Sequence, residues 1–564
     1  MSNSKFQLNH IAIATILLCW LVILIKLGLP ELLPYSEAVT AFRAEAILQH
    51  KATLDQTIFS PSGISSSAKP PLTSWIVSIS MYVFGESNFA LRFPIALLSL
   101  GILILWYVIS SFFIPRKYAL FSPILLTGTS FFTTASRTIE PTIASIFFLL
   151  LLLYIAVSIE RKQFSVLLST ALIAVIVLFL FLNEFYSGIA GITLLLPFII
   201  KETKHRQYFI GAIAFGFLAS TIWFFYLFSL YGVPFIQSYF LIEIFKTTVF
   251  QKLQSLNSIF FIDSPILLLG LFFFFNVVKT IQSLNASSIS LPIKTAQLSL
   301  VFWFLSAIGI YFFTPTFSST SSVILVIPLL FLAILTLHSY LSNTKQTIFF
   351  ISLLLTVFFN SIWNILRYFL IKDQTFLQID FYVIVFIVLI SLGFAILLKK
   401  RNNQKTQFTV LHWLFIVLPI VFVGKQFLTN IRLQTTSLDG ATSVGMYFKQ
   451  GCELPFVYLY HQEHTFSYDA PQLAWCSRSS LEKLVPQKTY TPIFLSTTVL
   501  DNIVLDALIK PEFYDKPIVY HYINSAPIKA ELVKELSKYR QILTEQPSYI
   551  VFGSVDKMKL LFNK

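Results

Sequence analysis

The chain has 564 residues, the length of three or four soluble domains, yet 56% of it is apolar and only 12% charged, about half the usual charged share. Sixty phenylalanines stand against eighteen glycines, and a soluble fold has too little interior to hide them, so a set of soluble domains is excluded and a polytopic membrane protein remains. The net charge of +14 does not require nucleic acid, because membrane proteins collect Lys and Arg in cytoplasmic loops.

About 20 apolar residues cross the hydrocarbon as a helix. In chain order the apolar runs predict thirteen spans, at 10–29, 89–112, 119–133, 141–159, 165–182, 187–200, 209–231, 259–278, 296–314, 322–340, 347–366, 381–398 and 409–428. The run at 71–85 is set apart. It follows Lys69-Pro70-Pro71-Leu72 and carries Ser74, Ser78 and Ser80, which suits an interfacial or re-entrant helix. With a cytoplasmic N-terminus, the inside loops hold about 15 basic residues in about 61 positions, against about 8 in about 119 outside. Counting 71–85 as a span would invert every later loop and spoil that asymmetry. The reading is therefore a transmembrane domain over 1–430, with a long first outer loop at 30–88, and an extracytoplasmic α/β domain over 431–564.

In that tail, β-rich runs at Leu454–Tyr460, Pro492–Thr497, Pro517–Ile523 and Ser548–Gly553 alternate with helical patterns near 499–510 and 527–542. Three cysteines, Cys19, Cys452 and Cys476, exclude a thiolate zinc cluster. Cys452 and Cys476 either pair in an oxidising compartment or stay as two buried thiols; the sequence leaves both open. His461 and His464 lack a clear third ligand and read as solvated or rim residues. No cleavable signal peptide is expected, because the first apolar run is too long and lacks a small-residue cleavage site.

Ionisable residues are nearly absent from the spans, which counts against a proton- or ion-coupled transporter. Of the thirteen Asp and Glu before residue 430, only Glu160 and Glu202 fall in inside loops. Glu37, Glu45, Glu140, Glu184 and Glu243 map outside, with Glu140 and Glu184 in very short loops at the membrane surface. Lys69, Arg137, Lys246 and Lys252 are assigned to the same side. Cations beside carboxylates at an outer surface suit phosphate binding and acid/base work on a polar group. A first outer loop of this length is itself a functional signal.

The order of motifs resembles the bacterial GT-C glycosyltransferases that use lipid-linked sugars, in particular the lipid A aminoarabinose transferases and the protein O-mannosyltransferases. The motifs are Ser36-Glu37, Lys69-Pro70-Pro71-Leu72, Phe84-Gly85, Ala90-Leu91-Arg92-Phe93-Pro94, Arg137-Thr138-Ile139-Glu140 and Glu243-Ile244-Phe245-Lys246. The departures are Ser36 for the family's leading Asp, Ala68 for an acidic residue before Lys-Pro-Pro, Asn183-Glu184 for a Lys-Gly pair, and Ser318–Ser322 where a Lys is usual.

The resemblance implies transfer of a sugar from a polyprenyl-phosphate donor, of the undecaprenyl type, to a lipid or envelope glycan acceptor such as lipid A. The setting would be the outer face of a bacterial inner membrane. It implies Lys69 and Arg137 at the donor phosphate, Glu37 and Glu140 as catalytic carboxylates, and Arg43, Glu45, Glu243 and Lys246 as further substrate contacts, with membrane lipids around them and no nucleic acid. No cofactor or metal site is implied. A protein acceptor, or a non-catalytic envelope protein or transporter, are the alternatives.

Overall fold

The computed structural model describes residues 10–29, 36–48, most of 53–201, 206–236 and 291–313, helical positions near 324–331 and 423–430, and the strands of the C-terminal segment. In chain order its helices are α1 His10–Leu24, α2 Ser36–Leu48, α3 Leu72–Phe84, α4 Asn88–Phe113, α5 Arg116–Ala119, α6 Phe121–Thr127, α7 Ser130–Ala135, α8 Pro141–Glu160, α9 Val166–Asn183, α10 Phe185–Lys201, α11 Arg206–Tyr231, α12 Val233–Ile236 and α13 Leu291–Phe313. A short hairpin, β1 Phe59–Ser60 and β2 Gly63–Ile64, lies between α2 and α3 in sequence. Four of the described helices, α4, α8, α9 and α11, are long and apolar enough to cross a membrane. The twenty residues of α8 rise about 30 Å, the thickness of the hydrocarbon.

By internal packing the chain divides into two compact units. The first holds residues 1–25, 95–226 and 241–431. Its centre is α8, apolar on every side and buried on nearly all of them, as expected of a helix enclosed by others. Against it pack α9, α10 and α13, and α10 also packs on α9 and α13. Close approach is set by glycine: a Cβ at Gly216 of α11 would lie 2.5 Å from the Ala174 carbonyl oxygen of α9. At the far end of α8, the Arg161 guanidinium lies over the Phe112 ring of α4 at 4.1 Å.

The predicted span 119–133 is not one helix. It is divided into α5, α6 and α7, with Thr129 in extended conformation between α6 and α7. Pro123 has no N–H to offer the Ala119 carbonyl, which instead accepts from Ser122 Oγ at 2.7 Å. Thr129 Oγ1 donates to Leu126 O, and Thr133 Oγ1 to Thr127 O, both at 2.7 Å. Hydroxyls therefore satisfy the carbonyls that the break sets free, as an interrupted helix within a membrane protein requires.

The second unit holds residues 26–94, 227–240 and 432–564. Within it α2 packs on α3. Helix α3 has thirteen residues and reaches about 20 Å, too short to cross. It buries Thr73, Ser74, Ser78 and Ser80 and exposes Ile79, Tyr82, Val83 and Phe84. Leu72, Val77 and Met81 are buried beside those hydroxyls. Pro94 removes a helical hydrogen bond from the Ala90 carbonyl, and Ser80 Oγ takes its place at 2.6 Å, joining α3 to the start of α4.

In the C-terminal segment the strands are β3 Val457–Tyr460, β4 Ile493–Ser496, β5 Ile518–His521, β6 Arg540–Gln546 and β7 Tyr549–Val555. They form one sheet in the order β4-β3-β5-β7-β6. β3 runs parallel to β4 and β5, while β7 runs antiparallel to β5 and β6. Four strands coincide with the β-rich runs of the sequence. The fifth corrects it: the helical pattern near 527–542 ends before Arg540, where β6 begins, because pairing with β7 outweighs local helix propensity. The predicted spans 259–278, 347–366 and 381–398, most of 409–428, the helical pattern near 499–510, and Cys452 and Cys476 lie outside the described residues.

Candidate active site

Glu37 lies in the first turn of α2 and is fully buried. Its partner is Arg92, which the sequence offered only as one letter of a motif. Arg92 Nε donates to Glu37 Oε1 at 2.9 Å and Arg92 Nη2 to Oε2 at 2.6 Å, a two-pronged pair with neither partner open to solvent. Arg92 Nη1 also donates to the Leu27 carbonyl at 3.2 Å. The signal in the sequence was an arginine in the first turns of an apolar span, where a charge is expensive without a counter-ion.

Other bonds organise the same unit. Trp75 Nε1 of α3 donates to the Thr53 carbonyl at 2.8 Å. The Tyr231 hydroxyl, at the end of α11, donates to the Asp55 carboxylate. Arg43 is buried on α2, on the same side as Glu37 and Thr40. Lys69 lies outside the described residues, but its neighbour Pro70 is buried and α3 begins at Leu72. Glu45 is on α2, and Glu243 and Lys246 lie outside the described residues.

The first unit carries the second set. Arg137, just past α7, is buried and donates through Nη1 to the carbonyls of Ile23 and Ile25, both at 2.6 Å. A cation on the last carbonyls of α1 satisfies acceptors that the helix cannot and meets the negative end of its dipole. Asn430 Nδ2 donates to the neighbouring Val22 carbonyl at 2.9 Å.

Glu140 is buried in extended conformation before Pro141, the first residue of α8, and its side chain makes no capping hydrogen bond. Around Pro141 a relay of polar groups joins three helix ends. Asn183 Nδ2 donates to the Pro141 carbonyl and to Ser145 Oγ, both at 2.7 Å, and Ser145 Oγ donates to Glu184 Oε2 at 3.2 Å. Glu140 and Glu184, far apart in sequence, are thus held at the adjoining ends of α8 and α9.

The described residues form a bundle of apolar helices with buried cation and carboxylate sets at helix ends. Residues 68–231 match the family described as dolichyl-phosphate-mannose-protein mannosyltransferases. The crystal structure of ArnT from Cupriavidus metallidurans bound to undecaprenyl phosphate shares the fold, with a TM-score of 0.58 at 13% identity over 97% of this chain and 98% of that one. The apo structure of the same protein gives a TM-score of 0.58 at 14% identity, over 96% and 97% of the two chains. No curated protein matches by sequence.

Proposed function

We propose that the protein transfers a sugar from a polyprenyl monophosphate of the undecaprenyl type to a lipid or envelope glycan acceptor, such as lipid A, at the outer face of a bacterial inner membrane. One observation carries the reading. The segment that matches the glycosyltransferase family, 68–231, includes Lys69-Pro70-Pro71-Leu72 next to its start, and Arg137 and Glu140. The fold shared over the full length with a protein bound to undecaprenyl phosphate supports the same donor.

In this reading Lys69 offsets the charge of the departing lipid phosphate, and a carboxylate takes the proton of an acceptor hydroxyl. Glu37 and Glu140 are the two candidate carboxylates. Both oxygens of Glu37 already receive guanidinium N–H groups, so removing a proton with it would require breaking a buried ion pair. Arg137 Nη1 is committed to the end of α1, which supports a holding role and leaves the phosphate to Lys69. Arg43, Glu45, Glu243 and Lys246 remain as substrate contacts, and the cytoplasmic N-terminus and external C-terminal domain follow from the loop charges.

A protein acceptor is the second reading, favoured by the description of the matched family. The test is direct. Purified protein in nanodiscs is incubated with undecaprenyl-phosphate sugars and a panel of lipid A, glycan and peptide acceptors. Transfer to the lipid or glycan is expected, with Lys69→Ala reducing it at least about a hundredfold, the order of an electrostatic donor lost from a transition state. Transfer only to the peptide moves the acceptor to protein. Lys69→Ala with wild-type turnover removes Lys69 from the phosphate site.

A further inference from the structure

We propose that Arg92 is a positioning residue for the donor-phosphate site, acting through Glu37; the proposal rests on the reading of Lys69 as the phosphate cation. Three nitrogens of Arg92 are engaged: Nε and Nη2 on the two oxygens of Glu37, and Nη1 on the Leu27 carbonyl. A planar fork held at three acceptors fixes rotation as well as distance, which a point charge could not do. What it fixes is the first turn of α2, where Glu37 sits.

Helix α2 in turn packs along α3, and α3 begins three residues after Lys69. The two intervening residues are Pro70 and Pro71, whose locked φ angles leave little slack between Lys69 and the helix. Helix α3 is tied down elsewhere by Ser80 to the Ala90 carbonyl and by Trp75 to the Thr53 carbonyl. Arg92, two residues beyond Ala90 on the same helix, adds a further constraint on the packed pair. Release of α2 would let the N-terminal end of α3 shift, and with it the ammonium of Lys69. A misplacement of about 1 Å in a positioned group costs on the order of a hundredfold in rate.

The experiment measures binding of undecaprenyl phosphate to the full chain in nanodiscs, together with thermal melting. The double substitution Glu37→Gln with Arg92→Gln removes both charges and leaves no unpaired one inside the protein. It is expected to weaken the lipid phosphate about tenfold, while Arg92→Lys, which keeps the charge without the fork, loses about threefold. Where the double variant fails to insert, Arg92→Lys carries the same comparison. Wild-type binding by these variants beside a loss in Lys69→Ala overturns the positioning role and leaves the Lys69 reading intact. Wild-type binding by Lys69→Ala overturns the Lys69 reading itself. The pH profile of turnover in Glu37→Gln is expected to match wild type, since an anchor transfers no proton; a shifted profile makes Glu37 the base and also overturns the proposal.

Discussion

Buried charge in this protein is placed where backbone needs it. Arg92 closes on Glu37 and on the Leu27 carbonyl, and Arg137 closes on two carbonyls at the end of α1. Bringing an ion pair into a low-dielectric interior costs nearly what the attraction returns, so such pairs contribute orientation more than stability. Arg137 makes a sharper case, because its acceptors are main-chain oxygens that no other residue of α1 can reach. In Arg137→Ala those carbonyls lose a charged donor, a cost of about 1–3 kcal/mol each at most. The expected result is a lower melting temperature with undecaprenyl phosphate affinity unchanged. A variant that melts like wild type but no longer binds the lipid phosphate would return Arg137 to the phosphate site.

At the scale of elements, proline and glycine decide how the helices break and meet. Pro94 and Pro123 each free a carbonyl one turn earlier, and a serine hydroxyl takes each one. In the first case the hydroxyl comes from another helix, so the proline creates the joint between α3 and α4. Glycine acts in the opposite way, by leaving room. At Gly216 the nearest obstacle to a side chain is the Ala174 main-chain oxygen, which cannot rotate aside. Gly216→Val should therefore separate α11 from α9 and destabilise the protein by about 1–3 kcal/mol, the usual cost of overpacking. Thermal melting in detergent reads this directly; a melting temperature equal to wild type would show that the two helices slide apart without cost.

On the scale of the molecule, the first outer loop and the C-terminal segment belong to one compact unit, whose other part is 227–240, the end of α11 and the stretch after it. The loop charges predict that both lie on one side of the membrane. Single cysteines introduced at Ser62 and Ser480 should then both react with an impermeant maleimide added to intact cells. Protection of either one would break the thirteen-span topology and the external position of the C-terminal domain together. The family match lies over 68–231, and the fold is shared along nearly the full length with a solved structure.

The sequence by itself determined the class of protein, a polytopic helical membrane protein, because that is written in local composition. Twenty apolar residues make a membrane helix in almost any context, and the side of a loop follows from its Lys and Arg. The thirteen-residue α3 was legible as a separate helix, since its run opens on two prolines and ends at Gly85. Long-range partnership was not legible. Arg92 and Glu37 are 55 positions apart, Arg137 and Ile23 are 114 apart, and nothing in either segment names the other. The division of 119–133 into α5, α6 and α7 escaped because its apolar content is that of a span while Pro123 and Thr129 set the backbone. Strand β6 escaped because β-pairing is decided by the neighbour, β7, and not by the residues that pair. Only the tertiary structure could show that Glu37, read as a base, is held at both oxygens by an arginine, because a carboxylate's role depends on what faces it.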